Sequence, residues 1–136
     1  MDLQKCLIVD DDELGRELVA QNLPGVNCVM ACDGREAVTK FALALDDGEP
    51  FNLVILDIMM PEMSGIEAGK AIRRTEKERG VPLVNQAKVI MLTSRNTPQD
   101  VMDAMMSAQS GAYLVKPLEP ARLKETLSRL GLKLSK

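Results

Sequence analysis

Asp10, Asp11, Asp57, Thr93 and Lys116 are the residues of this sequence whose types could together do chemistry. Each follows an apolar run closely: Leu7-Ile8-Val9, Leu53-Val54-Ile55-Leu56, Val89-Ile90-Met91-Leu92 and Ala112-Tyr113-Leu114-Val115. Three carboxylates brought together repel one another unless a cation sits among them. Oxygen donors in a chain with no histidine favour a hard ion. Few carboxylates with room for water suit Mg²⁺ better than a full Ca²⁺ cage, with Mn²⁺ as a substitute. Such a metal keeps positions open for one phosphoryl oxygen, while the Lys116 ammonium and the Thr93 hydroxyl take the others. With a carboxylate as nucleophile, the reaction is phosphoryl transfer onto Asp57. Singly, an Asp or Thr after a strand does no more than open a turn. The whole set at the same ends is harder to explain that way.

Residues so distant in the chain converge only if the runs before them lie side by side and point the same way. Leu7-Ile8-Val9 reads as a buried strand, followed by the acidic corner Asp10-Asp11-Asp12-Glu13 and a helix whose spacing of four starts at Leu14 and Leu18. Pro24-Gly25 stops that helix, and Val26 to Ala31 make a second strand. Asp33-Gly34-Arg35-Glu36 is a capping pattern for a second helix with Ala37, Phe41, Ala44 and Leu45 inward. Leu53 to Leu56 read as a strand buried on both faces, with Asp57 where it runs out and a carboxylate can meet solvent. Pro61 turns the chain away, Ser64-Gly65-Ile66-Glu67 caps a third helix with Ile66, Gly69 and Ile72 inward, and Gly80 lies beyond its end. The connection Val81 to Lys88 is long and acquires no role. Lys88 to Leu92 form a fourth strand, and Thr97-Pro98-Gln99-Asp100 opens a fourth helix with Val101, Met102, Met105 and Met106 on its apolar side. Ala112 to Val115 are the fifth strand. Pro120 opens the last helix, striped by Leu123, Leu127 and Leu130, and residues 130–136 are expected to fray. Strands alternating with helices through right-handed crossovers predict a doubly wound parallel α/β sheet of five strands and five helices, one domain over residues 1–136. Its carboxyl strand ends share one edge, where such sheets bind ligands.

The 136 residues, 46% hydrophobic, suffice for one core and leave little room for a second. A net charge of -3 without a basic run disfavours direct binding to nucleic acid. No apolar run nears the ~20 residues of a membrane span and the first residues make no secretory signal, so no membrane is expected and the address is cytoplasmic. Cys6, Cys28 and Cys32 read as reduced core residues rather than metal ligands. Met59, Met60 and Met63 read mainly as core filling. Arg73, Arg74, Lys77 and Arg79 with Glu76 and Glu78 read as a solvated helix face.

Leu7-Ile8-Val9-Asp10-Asp11-Asp12, Leu56-Asp57-Ile58-Met59-Met60-Pro61-Glu62-Met63-Ser64-Gly65, Met91-Leu92-Thr93-Ser94 and Tyr113-Leu114-Val115-Lys116-Pro117 together resemble the receiver domain of bacterial two-component response regulators. The resemblance runs in the right order over nearly the whole chain. It implies a flavodoxin-like sheet of order 2-1-3-4-5. It implies that Asp57 accepts a phosphoryl group from a histidine kinase or a histidine phosphotransfer protein. Asp11, Asp57 and the backbone carbonyl of Met59 would then ligate Mg²⁺ directly, Asp10 largely through water, and Lys116 would pair with the phosphoryl group. The Lys116-Pro117 bond would be cis. Thr93 would move toward the phosphoryl group and Tyr113 would rotate inward, altering the face of the fourth helix, fifth strand and last helix for a partner in trans. The only catalysis implied is the domain's own phosphorylation and dephosphorylation. A phosphorelay intermediate and a phosphorylation-dependent dimer are compatible with the same residues.

The sequence also departs from that family's pattern. Gln109 stands where Gly is frequent, with Gly111 placed to take over the turn; Ser94 adds a hydroxyl after Thr93. Met59 and Arg95 occupy the positions that in the family tune how long the phosphoryl group survives, and the Val81 to Lys88 connection exceeds the usual length. Two other classes share parts of the pattern. A flavin-binding flavodoxin would have its phosphate repelled by Asp10-Asp11-Asp12. A haloacid-dehalogenase-type phosphohydrolase expects a second acid where Met59 stands.

Overall fold

The computed structural model describes residues 2–60, 63–94, 102, 106 and 109–134. Strands β1 (Lys5–Val9), β2 (Asn27–Ala31), β3 (Leu53–Asp57), β4 (Lys88–Thr93) and β5 (Ala112–Val115) form one parallel sheet in the order β2-β1-β3-β4-β5. Helices α1 (Glu13–Gln21), α2 (Gly34–Asp46), α3 (Gly65–Glu78) and the C-terminal α4 (Pro120–Arg129) complete the described elements. The doubly wound, flavodoxin-like order is the one expected. The helix expected from Thr97 falls mostly outside the described residues; Met102 and Met106, within them, are helical and exposed.

The sheet is organised by β3, every residue of which is buried. It pairs with β1 on one side and β4 on the other, so Val54 lies beside both Leu7 and Val89. Alternation along these strands divides the core. Leu7, Val9, Val54, Leu56, Val89 and Met91 pack with Ala37 and Phe41 of α2 and Ala68 and Ile72 of α3. Cys6, Ile8, Leu53, Ile55, Ile90 and Leu92 pack on the other face with Val19 of α1 and Leu123 and Leu127 of α4. Each Val, Leu, Ile, Met or Phe among them, fully buried, contributes about 1.5–3 kcal/mol, which fixes the register because a slip of one residue would exchange the two faces. Edge strand β5 shows the alternation openly, with Ala112 and Leu114 inside and Tyr113 and Val115 outside.

Local signals set the helix ends. Ser64 Oγ accepts from the Glu67 N–H at 3.2 Å while the Glu67 carboxylate accepts from the Ser64 N–H at 3.4 Å, a closed capping box. Asp33 likewise accepts from the Glu36 N–H at 2.8 Å, but Glu36 reaches one residue further back, to the Cys32 N–H at 2.9 Å. Gly80 and Gly131 follow α3 and α4 with φ of 66° and 76°.

Several expectations need correction. Leu14 and Leu18 are exposed, at 73% and 42%, because the inward side of α1 is set by Val19 and continues to Leu23. Cys32 is exposed and Cys28 half-buried; Cys6 alone is fully enclosed. The tail does not fray through residue 134: Leu132 is buried, and Lys133 forms a parallel bridge with Asp2 through a 2.7 Å bond from the Leu3 N–H to its carbonyl. Glu76 is not on a solvated face but 1% exposed, accepting from Arg73 Nη1 and from the Ala87 N–H, each at 2.8 Å. Arg73 also donates to the carbonyls of Ala87 and Gln109, both at 2.8 Å, so one guanidinium ties α3 to the approaches of β4 and β5. Gly111 does not take over the turn before β5; Gln109 itself holds φ of 50°. The Val81 to Lys88 connection contains a 3-10 turn at Leu83–Asn85.

Candidate functional site

The sequence places acids where β1 and β3 end, and the register Val9 beside Leu56 puts both ends on one rim. Asp10 and Asp57 are buried, Asp11 is exposed, and one carboxylate oxygen from each lies within 4.8 Å of the others. Lys116 reaches the same point from the end of β5. Its Nζ donates to Asp10 Oδ2 and to Asp57 Oδ2, both at 3.1 Å. The Lys116 N–H is held by the Thr93 carbonyl at 2.8 Å, and the Lys116-Pro117 bond is cis.

The backbone completes the arrangement. Asp57 Oδ1 accepts from the Met59 N–H at 3.1 Å, and Asp10 Oδ1 from the Asp12 N–H at 2.9 Å. Asp12 in turn caps α1 through the Leu14 N–H, and Arg16 Nη1 donates to the Asp10 carbonyl at 2.7 Å. Two glycines permit these approaches. A Cβ on Gly15 would stand 2.6 Å from Asp10 Oδ2, and one on Gly65 would stand 2.2 Å from the Asp57 carbonyl oxygen.

Burial pushes the Asp57 carboxyl above the ordinary carboxylate range; Lys116 opposes that, Asp10 adds to it, and the Met59 N–H lowers it slightly. For Lys116 burial alone would lower the affinity for a proton, yet the bonds to Asp10 and Asp57 outweigh it and the ammonium is held above its usual value. Three carboxylates thus face one ammonium, and the cluster is anionic. An all-oxygen set with an excess of negative charge fits a hard divalent cation.

Asp10, Asp11, Asp57 and Lys116 are therefore brought together. Thr93 ends β4, buried, one step beyond the Leu92 that pairs with Asp57. Tyr113 is turned away, on the outer side of β5, where it lines a hollow of about 510 Å³ with Glu119 and Arg122. Met59 is half-exposed, while Met60 and Met63 pack against the core. Ser94 is exposed; Pro61, Glu62 and Arg95 lie outside the described residues. Sequence reading missed Gly15, whose signal is a glycine inside a helical pattern, and Arg16, which carries no local signal. It also missed the apolar hollow of about 420 Å³ beside the acids, lined by Leu14, Leu18, Pro117 and Leu118.

This fold and site define a receiver domain, and the chain belongs to the response regulator receiver domain family, whose model matches residues 6–128. Phosphorylation and Mg²⁺ binding are characteristic of that family in two-component signalling. The transcriptional regulatory protein CpxR of Escherichia coli K12 is 34% identical over 125 residues, covering 89% of this chain and 46% of the relative. The chain spans less than half the length of several such curated relatives. Among solved structures, the CheX-CheY-BeF3-Mg complex of Borrelia burgdorferi matches with 30% identity and a TM-score of 0.79, covering 96% of this chain and 90% of that one. The co-crystal of the Saccharomyces cerevisiae histidine phosphotransfer protein Ypd1 with the receiver domain of Ssk1 matches with 27% identity and a TM-score of 0.80, covering 95% and 89%. No described helix is long and apolar enough to cross a membrane.

Proposed function

We propose that this domain accepts a phosphoryl group onto Asp57 from a phosphohistidine donor and uses the modified state to regulate a protein partner in trans. The observation that carries the reading is the Lys116 ammonium bonded at once to Asp10 and Asp57, with Asp11 alongside, on the solvent-facing rim of the sheet. An Asp57 oxygen attacks phosphorus, and the P–N bond of the donor breaks with its electron pair going to nitrogen, so that an imidazole already protonated on its other nitrogen leaves neutral. Lys116 stays in place to neutralise the charge that arrives, and the Met59 N–H keeps the carboxylate oriented. Asp11, Asp57 and the Met59 carbonyl would hold Mg²⁺, with Asp10 supporting it through water; bound there, the ion would screen the carboxylates from the incoming oxygens. The donor is a histidine kinase or a histidine phosphotransfer protein, and exposed Leu14 and Leu18 beside the acids give it apolar purchase. Thr93 and Tyr113 are the switch, and the readout face is β5 and α4 together with the preceding segment. The domain catalyses only its own modification and its reversal.

Incubation with acetyl phosphate and Mg²⁺, followed by intact mass measurement, tests this. One phosphoryl adduct is expected, absent from Asp57→Asn and without turnover of p-nitrophenyl phosphate. Sustained turnover of that ester with no adduct would instead mark a phosphohydrolase.

A further inference from the structure

The connection between α3 and β4, to which the phosphoryl chemistry gives no role, is built to display two apolar side chains. Leu83 and Val84 are 80% and 78% exposed. The loop is held at several points. Asn85 N–H bonds the Pro82 carbonyl at 2.9 Å, Gln86 N–H the Leu83 carbonyl at 3.2 Å, and Val81 N–H the Glu76 carbonyl at 2.9 Å. Its far end is fixed by the bonds of Ala87 to buried Glu76 and Arg73. Aliphatic side chains in a floppy loop can fold back onto the surface; in a turn pinned this way they stay in water, at a cost that a binding partner would recover.

The surroundings specify the partner. Exposed Arg74, Lys77 and Lys88 line the hollows on either side of the turn, about 500 Å³ toward α3 and about 220 Å³ toward β4. Among the described residues none of the three is in an ion pair. The chain as a whole carries -3, so this is a basic rim on an acidic molecule. It lies at the amino ends of the strands, across the sheet from Asp57. We propose that Leu83 and Val84, rimmed by Arg74, Lys77 and Lys88, form a second docking surface for an acidic, amphipathic segment of a partner protein. The two hollows favour a shaped polypeptide over a flat lipid surface, because only the former fills them. Glutamate or aspartate of the segment meets the basic rim while its apolar side covers the tip.

The test uses ¹⁵N-labelled domain and a fluorescein-labelled helical peptide with Glu and Asp on one side and Leu and Ile on the other. Expected is saturable, salt-sensitive binding, with amide shifts concentrated at residues 73–88 and a roughly tenfold or greater loss in both Leu83→Ser/Val84→Ser and Arg74→Glu/Lys77→Glu. Both variants should keep the wild-type circular dichroism and acetyl-phosphate reactivity, since neither touches the acidic site. Shifts located elsewhere, or unchanged affinity in either variant, would overturn the proposal. So would failure of the peptide to bind, with Leu83-dependent binding to phosphatidylserine vesicles and self-association lost in Leu83→Ser/Val84→Ser measured in parallel. Those two results would assign the surface to a membrane or to a second copy of the chain.

Discussion

Lys116 and Asp57, 59 residues apart in sequence, meet with Nζ 3.1 Å from Oδ2, and the same ammonium holds Asp10 at an equal distance. Removing it leaves two buried carboxylates facing each other without a counter-charge. Lys116→Met should slow phosphorylation by acetyl phosphate by about 10²–10³, the cost of deleting one pre-positioned donor to developing negative charge. Adduct formation followed by mass against time measures this; a rate within a factor of about two of wild type would remove Lys116 from the chemistry.

The anionic cluster should make stability depend on divalent ions. At Mg²⁺ ten times above its dissociation constant the folded state should gain about 1.4 kcal/mol, read as a rise in urea midpoint. Asp11→Asn should abolish most of that gain, and EDTA should reverse it in the parent protein.

Gly15 offers a way to separate folding from function. Gly15→Ala adds helix propensity worth about 1 kcal/mol to α1, but its Cβ would stand 2.6 Å from Asp10 Oδ2 and must displace that carboxylate. The variant should therefore bind Mg²⁺ several-fold more weakly while its stability changes little, the helix gain of about 1 kcal/mol being offset by the disturbed bonds of Asp10 to Lys116 and the Asp12 N–H. Parallel urea titration followed by circular dichroism and Mg²⁺ titration followed by amide NMR shifts check the two halves.

Glu76 is enclosed with Arg73 and the Ala87 N–H, so Glu76→Ala leaves the Ala87 amide without its acceptor and takes the carboxylate counter-charge from the Arg73 guanidinium, which keeps its bonds to the Ala87 and Gln109 carbonyls. A loss of about 3 kcal/mol is expected in urea unfolding. Exposed Glu78→Ala should change stability by no more than about 0.5 kcal/mol.

Gln109 holds a left-handed backbone, which costs a side chain with a Cβ about 1–2 kcal/mol relative to glycine. Gln109→Gly should stabilise the domain by up to about 1 kcal/mol after the extra freedom of the unfolded glycine is counted. Gln109→Val should destabilise it.

Much of this architecture is legible in the sequence. The two-sided burial of Leu53 to Leu56, the capping box at Ser64 and the glycines at 80 and 131 are local patterns with local causes, and they hold. The convergence of Asp10, Asp11, Asp57 and Lys116 followed from parallel strands ending on one rim. What the sequence hid is set by tertiary neighbours. Glu76 and Glu78 look alike in the chain, and only the nearby Ala87 N–H and Arg73 distinguish the enclosed one. Leu14 has the spacing of an inward residue, yet the direction of α1 over the sheet gives that role to Val19. Gln109 shows that glycine-like geometry is not always written as glycine.

The bridge between Asp2 and Lys133 seats the stretches that lead into β1 and out of α4 side by side, at the edge from which β1 departs and remote from the acids. Any tether fused to either terminus would thus emerge behind the reactive centre and leave a phosphodonor's approach unobstructed.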